Sequence, residues 1–131
     1  MQPKTTIAKL GSIALSGVVL AGLATPALAN DADVIRRGSC SGSSDWKLKA
    51  SPENNRIEVE GEVDSNINGQ TWKWRMRHNG EVSARGKAKT SGPSGSFDVR
   101  RLMVDVSGAD RIGWWAKNPA TGEVCRGSLR Y

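Results

Sequence analysis

From Trp46 onward, apolar and polar residues alternate with a period of two, the spacing of a strand with one buried face. Trp46, Leu48 and Ala50 alternate with Lys47 and Lys49, and Pro52-Glu53-Asn54-Asn55 breaks the run as a turn. Ile57, Val59, Gly61 and Val63 then alternate with Glu58, Glu60 and Glu62, and a polar loop covers 64–69. Trp72, Trp74 and Met76 alternate with Lys73, Arg75 and Arg77. Asn79-Gly80 signals a hairpin, and Val82, Ala84, Gly86 and Ala88 alternate with Ser83, Arg85, Lys87 and Lys89 beyond it. Matching the apolar faces sets Met76 opposite Ala84 and Trp74 opposite Gly86, which leaves Asn79-Gly80-Glu81 as a three-residue loop. After the break at 91–95, a strand runs from Phe97 to about Val104. Another carries Ile112, Trp114 and Ala116 against Arg111, Trp115 and Lys117, and a last one runs from Glu123 to Tyr131. No window carries a helical stripe.

Seven short strands separated by Gly, Pro and Asn turns predict an all-β fold, a seven-stranded immunoglobulin-like β-sandwich. A small antiparallel β-barrel is the alternative. The predicted core is Trp46, Leu48, Ile57, Val59, Val63, Trp72, Trp74, Met76, Phe97, Val99, Ile112, Trp114 and Leu129.

The N-terminus follows a different logic. Lys4 and Lys9 precede an apolar run from Leu10 to Leu23, and Pro26 precedes Ala27-Leu28-Ala29, the small-x-small pattern that signal peptidases accept. Residues 1–29 are therefore expected to be a signal peptide cleaved before Asn30, the run being too short and too Gly/Ser-rich for a membrane anchor. The expected product is secreted, monomeric and free of any transmembrane segment. It comprises a flexible N-terminal segment at 30–43 and the β-sandwich domain at 44–131. The chain holds 19 basic and 13 acidic residues; loss of Lys4 and Lys9 leaves 17 against 13, or +4, a balance that favours anionic partners. Cys40 and Cys125 form an even pair in an oxidising compartment, so a disulfide is expected; a zinc or redox site lacks a CxxC motif and a second histidine.

Ser39-Cys40-Ser41-Gly42-Ser43-Ser44 followed by Trp46-Lys47-Leu48, with Arg56-Ile57-Glu58-Val59-Glu60 and Gly92-Pro93-Ser94-Gly95-Ser96-Phe97, resembles a group of short secreted actinobacterial proteins without an established function. That resemblance implies a compartment and no activity. At the level of fold the chain is similar to small secreted immunoglobulin-like domains such as the chromoprotein apoproteins. Those carry two disulfides where this chain can form one, so no ligand-site residue is carried over.

Face parity gives the sharpest functional expectation. If the third, fourth, sixth and seventh predicted strands share a sheet, its outer surface carries Lys73, Arg75, Arg77, Arg85, Lys87, Lys89, Arg111, Lys117, Arg126 and Arg130, with Trp115 among them. Cations around an aromatic ring suit an anionic polymer such as nucleic acid, teichoic acid or an acidic glycan, or anionic lipid head groups. The competing arrangement is a plain hairpin in which Glu62, Glu60 and Glu58 pair with Lys73, Arg75 and Arg77 and cancel the field. Strand order decides between them.

Other candidates carry less. Asp64-Ser65-Asn66-Ile67-Asn68-Gly69 fits the first half of a calcium loop, with Asp64, Asn66 and Asn68 as oxygen donors. The twelfth position is Arg75 rather than a carboxylate, so an Asx-rich turn is expected and no metal. His78, the single histidine, has no placeable nucleophile and is expected to cap a strand end. No G-x-S-x-G elbow, phosphate loop or zinc spacing occurs. The expectation is a non-enzymatic secreted binding module with no cofactor and no catalytic residue. The alternative is a protein-binding or inhibitory module presenting loop 90–95 or 118–122, or a structural protein without a ligand.

Overall fold

The computed structural model describes residues 32–131; the expected signal peptide, residues 1–29, lies outside them. The strands are β1 (Val34–Ser39), β2 (Asp45–Glu53), β3 (Arg56–Asp64), β4 (Thr71–His78), β5 (Glu81–Lys89), β6 (Ser96–Val104), β7 (Arg111–Lys117) and β8 (Val124–Arg130). They form two antiparallel four-stranded sheets, ordered β1-β2-β3-β6 and β8-β7-β4-β5. Among the described residues the fold is thus an all-β sandwich of eight strands rather than seven, and its two separate sheets exclude the barrel alternative.

The additional strand falls inside the segment expected to be flexible at 30–43. β1 pairs with β2 in register, Val34 against Ala50 and Gly38 against Trp46. Its positions of inward parity read Val34, Arg36, Gly38 and its outward ones Ile35, Arg37, Ser39, so no alternation betrays it. Pairing with a well-patterned neighbour supplies what its own sequence lacks.

The predicted register holds in the β4–β5 hairpin, with Met76 opposite Ala84, Trp74 opposite Gly86 and Trp72 opposite Ala88. The loop is shorter than expected. Asn79 and Gly80, at φ 50° and 91°, make a two-residue turn closed by His78 opposite Glu81. A β-bulge absorbs the extra residue at Ser83, between the Met76–Ala84 and Arg77–Val82 pairs. A one-residue offset reverses facing, so Val82 lies on the outer surface beside Arg77, 39% exposed.

Between the sheets, Leu48, Ile57, Val59, Val63, Trp72, Trp74, Met76, Phe97, Ile112, Trp114 and Leu129 are buried, as expected from alternation. Ala50, Met103, Ala116 and Cys125 join them, while Trp46 and Val99 pack against this core only partly buried. Trp74 and Trp114 stack with ring centroids 6.3 Å apart, and Phe97 meets Trp114 at 6.4 Å and Trp72 at 6.4 Å.

Close approach between the sheets depends on missing side chains. A Cβ on Gly61 would lie 2.4 Å from Trp114, and one on Gly127 would lie 2.1 Å from Trp46. Trp46 thereby plugs the margin where β1 and β8 meet. That margin is also stapled by the Cys40–Cys125 disulfide, with Cα atoms 4.2 Å apart, and by hydrogen bonds between Ser41 and Val124. The opposite margin, between β5 and β6, carries no such closure: there Arg101 reaches from its inward position on β6 and lays its guanidinium 4.9 Å from the Trp74 ring centroid. No helix among the described residues is long and apolar enough to cross a membrane.

Candidate functional site

The predicted third, fourth, sixth and seventh strands correspond to β4, β5, β7 and β8, and they do share one sheet. Its outward positions fall into cross-strand rows. One row reads Val124, Lys117, Lys73 and Lys87 from β8 to β5; the next reads Arg126, Trp115, Arg75 and Arg85. A third holds Ser128, Gly113, Arg77 and Val82, and at the margins Arg111 faces Arg130 and Thr71 faces Lys89. All of these cationic residues are exposed except Arg75, which is half-buried. Neighbouring strands stand about 4.8 Å apart, and successive rows on one face about 6.8 Å apart, so the side chains form a regular lattice.

Like charges stand directly opposite one another in this lattice: Lys73 against both Lys87 and Lys117, Arg75 against Arg85, Arg111 against Arg130. Such pairs oppose folding by a few tenths of a kcal/mol to about 1 kcal/mol each. No ion pair among the described residues involves any of these cations. The glutamates expected in the hairpin alternative belong to the other sheet. Glu60 approaches Lys47 at 4.0 Å and Arg100 at 3.2 Å, while Glu62 stands opposite Lys47 and Asp98. The hydrogen bond and charge of Glu60 raise the Arg100 guanidinium above its ordinary range.

The two acidic residues that flank the basic sheet are placed apart from its centre. Glu81 sits at the hairpin turn. Glu123 accepts hydrogen bonds from the backbone N–H groups of Gly42 and Ser44 and from the Ser44 hydroxyl, at 3.0, 2.8 and 3.0 Å, which ties it into the disulfide margin.

At the centre of the face the Arg75 guanidinium carbon lies 4.3 Å from the Trp115 ring centroid. Stacking of a planar cation on indole is favourable by about 0.5–2 kcal/mol at such a half-buried site. Packed there, the Arg75 Nε is buried without a hydrogen-bond partner among the described residues. Two shallow depressions adjoin this pair. One of about 420 Å³ lies toward β5, lined by Lys73, Arg75, Arg85, Gly86, Lys87 and Trp115 among others. The other, of about 250 Å³, lies toward β8, where Arg77 and Arg126 join the lining.

The remaining sequence candidates take part in local hydrogen bonding. Asp64 Oδ1 accepts the Asn66 N–H at 3.1 Å, and Asn66 adopts φ 61°, the geometry of an Asx turn. No cluster of His, Cys, Asp and Glu among the described residues is suited to a metal. His78 does more than cap a strand: its Nε2 lies 2.6 Å from Oδ1 of the buried Asp110. Burial works to raise the Asp110 carboxyl, but hydrogen bonds from His78, the Val106 N–H and Asp105 outweigh it and hold the group below the usual carboxylate range. The hydrogen bond to Asp110, with burial and that neighbour's charge, raises the Asp105 carboxyl. Burial, with the charges of Asp105, Asp33 and Asp110, raises the Tyr131 phenol at the same end. No hydroxyl or thiol among the described residues hydrogen-bonds His78.

Arg101 is a cation that the sequence reading did not single out. Its position on β6 faces inward, yet its length carries the charge to the open margin over Trp74. Comparison with protein families, curated proteins and solved structures finds no match to this chain.

Proposed function

We propose that the protein is a secreted, non-enzymatic binding module whose ligands are anionic polymers, held on the outer face of the β8-β7-β4-β5 sheet. One observation carries this reading: cations directly oppose cations across three strand pairs, and no acidic side chain among the described residues neutralises them. A surface of that kind costs folding energy in the free protein and recovers it when a polyanion supplies the missing counter-charge. The Arg75–Trp115 stack adds a flat, delocalised surface amid the charges.

The disulfide agrees with an oxidising compartment and so with export after Ala29. The strand order supports an immunoglobulin-like arrangement of fibronectin type III kind, with β1 added beside β2.

The test is retention of the oxidised protein on an immobilised polyanion across a salt gradient, beside a variant with Lys73, Arg75 and Arg77 each changed to Glu. The native protein should elute late and move steeply with salt, and the folded variant should elute early. Equal elution of both at low salt would dismiss the basic face as a binding site and return attention to loops 90–95 and 118–122 as protein-binding elements.

A further inference from the structure

We infer that the polymer this face takes is a single-stranded nucleic acid, lying along β4 with a base stacked at the Arg75–Trp115 pair. The inference rests on the polyanion reading and narrows it. Lys73, Arg75 and Arg77 project from one strand at steps of about 6.8 Å, close to the distance between successive phosphates of an extended single strand. Lys87 and Arg85 on one side and Lys117 on the other double the first two of these steps. Charge is therefore matched to a repeat along the strand direction, and not to a single anionic group.

The aromatic element separates the ligand classes. Trp115 stands level with Arg75, and the guanidinium covers one face of the indole, its carbon 4.3 Å from the ring centroid. A nucleobase is planar and delocalised, so it can stack on either partner. A pyranose ring can meet the indole through its C–H groups but has no π-face to offer a guanidinium. Teichoic acid and polyphosphate have phosphates and no aromatic ring, and leave the pair without a stacking partner. Duplex DNA keeps its bases inside, and reading it through a groove takes a protruding helix or ribbon; this face is a flat sheet with shallow depressions. Single-stranded nucleic acid satisfies the charge lattice and the stacking surface together.

The experiment is fluorescence anisotropy of the oxidised protein with a labelled twelve-residue oligothymidylate. The comparison probes are an abasic deoxyribose-phosphate oligomer of equal length, a duplex of equal length, heparin and polyglycerol phosphate. The oligothymidylate should bind about ten-fold more tightly than the abasic oligomer, and more tightly than the duplex. If about four phosphates are neutralised, log K should fall with log salt at a slope of about −3. Trp115→Ala should reduce oligothymidylate binding about ten-fold and abasic binding several-fold less, whereas Trp115→Phe keeps a ring and most of the affinity. Circular dichroism of both variants checks the fold. Equal affinity for the abasic oligomer, tighter binding of the duplex, or binding of heparin or polyglycerol phosphate without the oligonucleotide would overturn the nucleic-acid inference and leave the polyanion reading intact. Salt-sensitive binding to none of the five probes would overturn both.

Discussion

Trp46 and Trp114 each rest on a position where no side chain intervenes, and those positions set the separation of the sheets. Gly127→Ala would place a methyl 2.1 Å from Trp46, and Gly61→Ala one 2.4 Å from Trp114. Overpacking a well-filled core costs about 1–3 kcal/mol, so both variants should show clearly lower urea midpoints. Gly113→Ala is the control, since its Cβ would meet only Arg77 Cβ at an ordinary 3.5 Å. Its midpoint should scarcely move. Acid acts on the Asp105–Asp110 pair. Because the folded state holds the Asp110 carboxyl low, that group's contribution to stability is present above about pH 4, the unfolded value, and is lost as pH falls through the lower folded value. Asp105 is raised, so its contribution has the opposite sign, present below the unfolded value and lost as pH rises through the folded one. Urea unfolding from pH 2 to 7 should show the acid loss in the native protein, and Asp110→Asn should flatten it. An acid limb unchanged in Asp110→Asn would refute this assignment.

Elements were legible wherever one strand carried its own pattern. β3 and β4 alternate cleanly between apolar and charged residues, and their registers follow from that. The β4–β5 pairing was readable because only Ala84, Gly86 and Ala88 leave room for Met76 and the two indoles opposite. The Ser83 bulge was not, because a two-residue Asn-Gly turn with a bulge and a three-residue loop leave the same register beyond them. β1 was unreadable since Val34, Arg36 and Gly38 share no polarity, and Arg101 drew no notice because parity reports direction and ignores side-chain reach. The face itself was legible once a strand order was assumed, but the order is a property of long-range pairing that no local pattern encodes. At this scale Lys73 stands between Lys87 and Lys117. Lys73→Glu should replace two repulsions with two attractions and raise stability by about 0.5–1 kcal/mol at low salt, while weakening polyanion retention. If thermal melting shows instead a loss of stability, the opposed lysines are not in tension.

For the molecule as a whole, charge is partitioned between sheets. The β1-β2-β3-β6 face mixes Lys47, Lys49 and Arg100 with Glu58, Glu60, Glu62 and Asp98, so its fields largely cancel. The β8-β7-β4-β5 face has no such mixture. Part of that basicity also protects the free β5 edge, where Arg85, Lys87 and Lys89 discourage strand addition by another chain. One margin is stapled across a separation of 85 residues, which stabilises by about 4 kcal/mol on chain-entropy grounds. Replacing both cysteines by Ser should lower the urea midpoint steeply and spare the specificity of any chain that remains folded.

A charge-matched pair of variants separates binding of a polyanion at this proposed face from attraction to net charge. Lys73, Arg85 and Lys87 would be changed to Gln in one variant, and Arg37, Lys47 and Lys49 to Gln in the other, removing the same net charge from opposite sheets. The measurement is the salt concentration at which each elutes from an immobilised single-stranded oligonucleotide. The first variant should elute at far lower salt than the native protein and the second close to it. Equal shifts in both would contradict a binding face and reduce the attraction to bulk charge.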